Sequence, residues 1–388
     1  MSRNTVGVSA SEPKITFVLN DAGETKAMQP VMQALDNNQV NYSIFAVETA
    51  KSLLKGNTHL APFPEDVVQL QQDNPLQAQK AQQQLKQALS VPVVVMGVVS
   101  DFQKRWADYF KAMGKQVVGY YDSIVYHDQR NREQVDPFKN GLTSLITPAK
   151  DATAFFQKRF PNWQVLTLGQ PTLESIPKVM ANTNTADIAK RAEVDTSKPT
   201  ILFVGEYEPG YREAFPQFVQ SIQILPEGTN VVVSLHPKAD GTFEREVLKK
   251  YDPQHRVRII SKSVTTAEML PVADVILTWH STMAMQAAFQ GKTVMYVGAD
   301  HKTNSFDPMM EYNMIHRYQT VDALTSALKK TVSKISLHRE DAEGQAQHRH
   351  KKIEKLYQTL GIPMESTRRI TDYLMSLLNQ QPASKTAA

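Results

Sequence analysis

Cysteine is absent from the 388 residues, which excludes disulfides, thiolate nucleophiles and cysteine-ligated zinc and fits a reducing compartment. Long apolar runs are also missing. The longest, VPVVVMGVV (91–99), is broken by Pro92 and Gly97, and no window approaches the roughly 18 apolar residues that cross a bilayer. The polar start MSRNTVGVSASEPK (1–14) lacks the apolar stretch of a secretory signal. Charge of one sign is scarce too: 43 Lys and Arg face 39 Asp and Glu, a net +4, and no lysine or arginine block marks a nucleic-acid or membrane patch. The expectation is a cytoplasmic protein with no transmembrane segment and no nucleic-acid partner, whose membrane contact, if any, is peripheral.

Several catalytic signatures are lacking as well. There is no GxSxG elbow, no HExxH and no Asp-x-Asp pair, so no bound metal is expected. FQGKT (289–293) imitates the end of a phosphate loop, but Gln286 stands where its first glycine belongs, and the lysine precedes a strand rather than a helix. His348 and His350 lie in a charged helical segment without further ligands and read as a solvated face.

What is present is alternation. Apolar β-rich runs at ITFVLN (15–20), YSIFAV (42–47), VPVVVMG (91–97), QVVGYY (116–121), SLITP (144–148) and VLTLG (165–169) are separated by helical patterns. The glutamine-rich stretch 76–89 is either an amphipathic surface helix or low-complexity disorder. From 170 to 198 the strand pattern stops. It restarts with TILFVG (200–205), NVVVSL (230–235), VRII (257–260), VILTW (275–279) and TVMYVG (293–298). A chain of this length exceeds one compact core. The reading is therefore α/β, with two doubly wound parallel-sheet (Rossmann-like) domains. The expected division is a disordered start (1–14), an N-terminal domain (15–169), a connection (170–198), a C-terminal domain (199–360), a closing helix (361–379) and a disordered tail (380–388).

Open parallel sheets bind ligands beyond the carboxyl ends of their strands, so the candidate loops can be named in advance. In the second half they are Gly205-Glu206-Tyr207, His236-Pro237-Lys238 and His280-Ser281-Thr282. Ser281 and Thr282 open a helix and either cap it or hold a phosphate with its free N–H groups. His236 is either a phosphate or hydroxyl ligand, with Lys238 adding charge, or part of an ordinary His-Pro turn. In the first half Asp21, Glu24 and Asp101 are candidate general bases, each of which serves equally as a helix cap or first-turn acid.

The order of these segments resembles the GT-B superfamily, in the branch with lipid A disaccharide synthase, the UDP-N-acetylglucosamine 2-epimerases and the polymerising glycerophosphotransferases. NDAGETKAMQPVMQAL (20–35) resembles the first loop and helix of the disaccharide synthases, and VLTLGQPTLESI (165–176) their interdomain segment. SLHPKAD (234–240) is similar to the His-Pro loop of the phosphotransferases, HSTMAMQAAFQGKTVMYVG (280–298) to the superfamily's donor segment, and STRRITDYLMSLL (366–378) to a closing helix. Two departures stand out. Gln286 replaces a glutamate that commonly holds the ribose, and Gly23-Glu24-Thr25-Lys26 replaces the epimerases' G-T-R-P-E turn, which argues against a strict epimerase.

The resemblance implies a glycosyltransferase with a nucleotide-diphosphate sugar as substrate, no tightly bound cofactor, and a site between the domains. The C-terminal domain is expected to hold the donor, with the diphosphate at Ser281 and Thr282, His236, Lys238 and His280 nearby, Gln286 toward the ribose, and the base either at Gly205, Glu206 and Tyr207 or after Val257. The acceptor, a glycan, lipid or protein, falls to the N-terminal domain, with Asp21, Glu24, Asp101 and His236 as catalytic candidates. The alternatives are a nucleotide-sugar epimerase or hydrolase, and an inactive module that binds a sugar or a partner.

Overall fold

The computed structural model describes residues 12–64, 75–124, 126–127, 134–260, 264–299, 305–339 and 341–380. Apart from residues 12–14 and 380, the disordered ends expected at 1–14 and 380–388 lie outside this set. The chain forms two compact units, Met1–Glu174 with Leu360–Ala388, and Ser175–Thr359.

The first unit carries strands β1 (Ile15–Leu19), β2 (Tyr42–Ala46), β3 (Val93–Gly97), β4 (Gln116–Tyr120), β5 (Ser144–Thr147) and β6 (Gln164–Thr167). They pair in parallel in the order β2-β1-β3-β4-β5-β6. All five side chains of β1 are buried and all but Thr16 are apolar, so the run is nearly continuous rather than alternating, as a sheet covered on both faces requires. One face packs against α1 (Ala22–Asn37) through Met28, Val31, Met32 and Leu35, and against the last helix through Ile370, Leu374 and Leu377. The other receives Ala107 and Phe110 of α4 (Asp101–Ala112) and Phe156 of α5 (Lys150–Arg159). Each fully buried aromatic contributes about 2–3 kcal/mol relative to exposure.

Between α2 (Glu48–Leu53) and β3 the glutamine-rich stretch is a helix, α3 (Pro75–Ser90). Its C-terminal carbonyl at Ala88 accepts from the buried Thr16 hydroxyl at 2.7 Å, which satisfies the one polar side chain in β1.

The stretch 170–198, expected as a partly helical connection, carries two helices, α6 (Pro171–Asn182) and α7 (Thr185–Arg191). From Ser175 onward it belongs to the second unit. Arg191 in α7 pairs with Glu268 at 2.9 Å, and Ile188 and Ala189 are buried. Its scarcity of large apolar residues reflects short helices with narrow buried faces.

The second unit contains β7 (Thr200–Val204), β8 (Asn230–Ser234), β9 (Val257–Ile259), β10 (Val275–Thr278), β11 (Thr293–Val297) and β12 (His316–Tyr318), parallel, in the order β9-β8-β7-β10-β11-β12. The edge strand β12 was not read from the sequence, because HRY lacks an apolar run. Helices α8 (Pro209–Ile222), α9 (Thr242–Tyr251), α10 (Thr266–Val272), α11 (Met283–Phe289), α12 (Val321–Leu337) and α13 (Ala342–Leu360) surround the sheet. Tyr211, Phe215 and Phe218 of α8 and Leu324, Leu328 and Val332 of α12 fill one face. The chain then returns to the first unit as α14 (Ser366–Asn379), whose first amides, Ser366 and Thr367, donate to the Glu174 carboxylate.

Candidate functional site

In each sheet the strand order reverses once, between β1 and β3 and between β7 and β10. Loops leaving the carboxyl ends of the strands diverge there and leave a crevice.

In the second unit three expected loops converge on that place. Gly205 sits so close to the neighbouring strand end that a Cβ would lie 2.6 Å from the Ser234 carbonyl, and its N–H donates to that carbonyl at 2.7 Å. Only glycine allows this approach. It sets the Tyr207 ring 4.6 Å from the His236 ring, with the Lys238 ammonium 5.2 Å from the Tyr207 ring centre. Lys238 N–H donates to His236 Nδ1 at 3.1 Å, so in the neutral ring the proton is on Nε2 and available to a ligand. Tyr207 is 53% exposed, an unusual place for an aromatic without a partner.

Glu206 does something the sequence did not suggest. Instead of facing a ligand, its Oε1 accepts from the Thr278 hydroxyl at 2.6 Å and from the N–H groups of Trp279 and His280 at 3.1 and 2.8 Å. It ties the β7 loop to the β10 loop across the point of reversal and uses two amides that a phosphate would otherwise take. Ser281 is likewise engaged: its N–H donates to Thr278 Oγ1 at 3.2 Å, and its hydroxyl accepts from Met283 N–H, the first amide of α11, at 3.3 Å, from one residue ahead of the N-cap Thr282. Thr282 and Gln286 are both exposed, one turn apart on α11.

Beyond His280 lie two residues the sequence reading missed. The His280 ring is nearly parallel to that of Tyr296, 5.8 Å away, and the Arg317 guanidinium lies 4.9 Å from the Tyr296 ring centre. Arg317 also donates to the Trp279 carbonyl at 3.1 Å. Burial and the adjacent Asp307 carboxylate, which accepts from the Tyr296 hydroxyl at 3.0 Å, push the phenol well above its ordinary range. The signal for Arg317 was slight: one cation on an edge strand, aligned with this loop only by the pairing of β12 with β11.

In the first unit the expected carboxylates separate into different roles. Asp21 caps α1, accepting from Gly23 and Glu24 N–H at 3.0 and 3.3 Å. Glu24 completes the capping box by accepting from Asn20 and Asp21 N–H. It is only 2% exposed, and its Oε1 also receives Gln103 Nε2 at 2.7 Å while Gln103 donates to the Val18 carbonyl at 3.2 Å. Burial raises the Glu24 carboxyl to about 8, against hydrogen bonds from Gln103 and Asn20 that favour its charged form. A Cβ on Gly97 would fall 1.2 Å from Glu24 Oε2, so β3 must carry glycine there. Glu24 thus fills the cap and first-turn role that was the alternative to a general base, and it ties the ends of β1 and β3 together through Gln103. Asp101 is exposed in the first turn of α4, which Ser100 caps by accepting from Gln103 N–H at 3.3 Å. Among the described residues no group of three or more His, Asp or Glu side chains is gathered as for a metal ion, and no helix is long and apolar enough to cross a membrane.

With this geometry in view, comparison with known proteins is informative. Residues 152–301 match the family of capsule polysaccharide biosynthesis proteins. No curated protein matches the chain in sequence. Among solved structures, the UDP-GlcNAc 2-epimerase from Neisseria meningitidis bound to UDP-GlcNAc superimposes with a TM-score of 0.61 at 10% identity, over 93% of this chain and 99% of that one. A glycosyltransferase from Rickettsia africae gives 0.61 at 12%, over 96% and 100%. A wall teichoic acid polymerase gives 0.55 at 12%, over 95% and 90%. Identities this low establish the architecture: the chain has the GT-B fold.

Proposed function

We propose that the protein is a glycosyltransferase of polysaccharide synthesis that takes its sugar from a nucleotide-diphosphate donor held by the second unit. The observation that carries this reading is the Tyr207–His236–Lys238 cluster beside the His280-Ser281-Thr282 loop, where the β9-β8-β7-β10-β11-β12 sheet reverses its order. The match to capsule polysaccharide biosynthesis proteins and the fold shared with a nucleotide-sugar enzyme support it.

In this scheme the diphosphate accepts from His236 Nε2, the Thr282 N–H and hydroxyl, and the Lys238 ammonium. Because Glu206 occupies the Trp279 and His280 amides, the charge is carried by these side chains more than by the helix tip. Tyr207 offers its exposed ring to the base, and Gln286 faces the ribose. The bond from the anomeric carbon to the diphosphate oxygen breaks, the electron pair leaves with the nucleoside diphosphate, and an acceptor hydroxyl bonds to that carbon. The hydroxyl proton passes to water as that bond forms. His236, Lys238 and the Thr282 donors stabilise the departing charge, so the scheme needs no metal ion. We place the reaction in the cytoplasm, with a glycan, lipid or protein as acceptor.

The test is calorimetric titration with UDP, CDP and GDP, followed by turnover of the nucleotide sugar that binds, with and without candidate acceptors. Binding of one nucleotide and acceptor-dependent release of the nucleoside diphosphate are expected. Donor consumed without any acceptor would replace the transferase with an epimerase or hydrolase, and no binding of any nucleotide would leave an inactive module.

A further inference from the structure

The second unit gathers lysines on a face that the proposed chemistry does not use. Residues 329–355 contain eight Lys and Arg against four Asp and Glu, a surplus of four that equals the net +4 of the whole chain. No block is visible in the sequence because the cations are spaced by helical turns. On α12, Lys330, Lys334 and Leu337 follow at intervals of four and three, and on α13, His348, Lys351, Lys352 and Lys355 do the same, so each set forms one stripe.

The fold brings the stripes together. Gln345 donates to the His338 carbonyl at 2.7 Å, joining the end of α12 to the start of α13. Burial and then the Lys334 charge lower the basicity of Lys352. His348 is lowered by burial and by Lys352, Lys334 and Lys351. Like charges therefore crowd one another without compensation. Lys330, Lys334, Lys351 and Lys355 are exposed, and among the described residues none of them forms an ion pair. Of the neighbouring acids, Asp341 accepts from Gly344 N–H and Glu354 from Gln358. Within the α12 stripe, Leu337 is 81% exposed.

We infer that this face docks on an anionic lipid bilayer, with the lysines at the headgroup phosphates and Leu337 in the interfacial layer. A soluble polyanion would be served by the cations alone. A leucine exposed among them gains only where an apolar phase lies beneath the charge, as at a membrane surface. The proposal is independent of the glycosyl-transfer reading, since it uses none of the same residues.

The experiment is flotation of the full chain with vesicles of phosphatidylcholine alone and with added phosphatidylglycerol, at low and high salt. Binding to the anionic vesicles only, weakened by salt, is expected. Each of Lys334→Gln, Lys351→Gln and Lys355→Gln weakens it about five-fold, and the triple variant about a hundred-fold. Leu337→Ser also weakens it, with the salt dependence unchanged. Unchanged melting temperatures show that the exposed substitutions leave the fold intact. The inference is overturned by absence of binding to anionic vesicles, by a triple variant that binds like the parent, or by Leu337→Ser binding like the parent, which would mark a site for soluble polyanions.

Discussion

Glu24→Gln probes the first unit at its most sensitive point. Glu24 titrates near 8 in the folded protein against 4.5 for an ordinary glutamate. Below about pH 4.5 both folded and unfolded chains hold the proton. Between about 4.5 and 8 the unfolded chain ionises while the folded one does not, so folding takes up a proton and stability falls as pH rises, by about 1.4 kcal/mol per unit. Above about 8 both are ionised and the slope disappears. The whole window is worth on the order of 4–5 kcal/mol, and it is lost toward alkaline pH.

Glutamine keeps an oxygen where Oε1 accepts from Asn20, Asp21 and Gln103, and puts its NH₂ at the position of Oε2, which has no partner in the wild type. Like the protonated acid it mimics, it brings no charge. The variant is expected to unfold in urea at about the same midpoint as the wild type near pH 5, and to exceed it by several kcal/mol near pH 8.5. Because two units unfold, hydrogen exchange of the β1 and β3 amides reports the relevant one. Parallel pH profiles for the two proteins would refute the buried, protonated state of Glu24.

Gly97→Ala places a methyl against the same carboxyl, where its Cβ would lie 1.2 Å from Oε2. A loss of about 2–4 kcal/mol in the first unit is expected by chemical denaturation, and an unchanged midpoint would contradict the packing. His236→Ala removes the proposed phosphate donor, and nucleotide affinity should fall about ten-fold or more by calorimetry with the melting temperature nearly unchanged. Ser281→Ala, because the hydroxyl accepts from the first amide of α11, should instead cost about 0.5–1 kcal/mol of stability alongside any loss of affinity.

The alternation of strands and helices was legible because both sheets are parallel and covered. β1, β3, β7 and β10 are buried along their whole length, and such strands must be continuous apolar runs. The loops that could matter followed from the same pattern, since a parallel strand always ends at the ligand-binding edge. β12 escaped notice because an edge strand of three residues needs no apolar run.

The sequence alone thus determined which segments are the buried strands, that they divide into two doubly wound sheets, and which loops leave those strands' carboxyl ends. Those properties are written in local periodicity. Tertiary structure decided the direction in which each polar side chain points. It turned Glu206 onto the amides of Trp279 and His280, buried Glu24 between β1 and β3, and brought Arg317 beside Tyr296. Those outcomes depend on distances between residues far apart in the chain. Such distances are set by strand pairing and close packing, which no local pattern encodes.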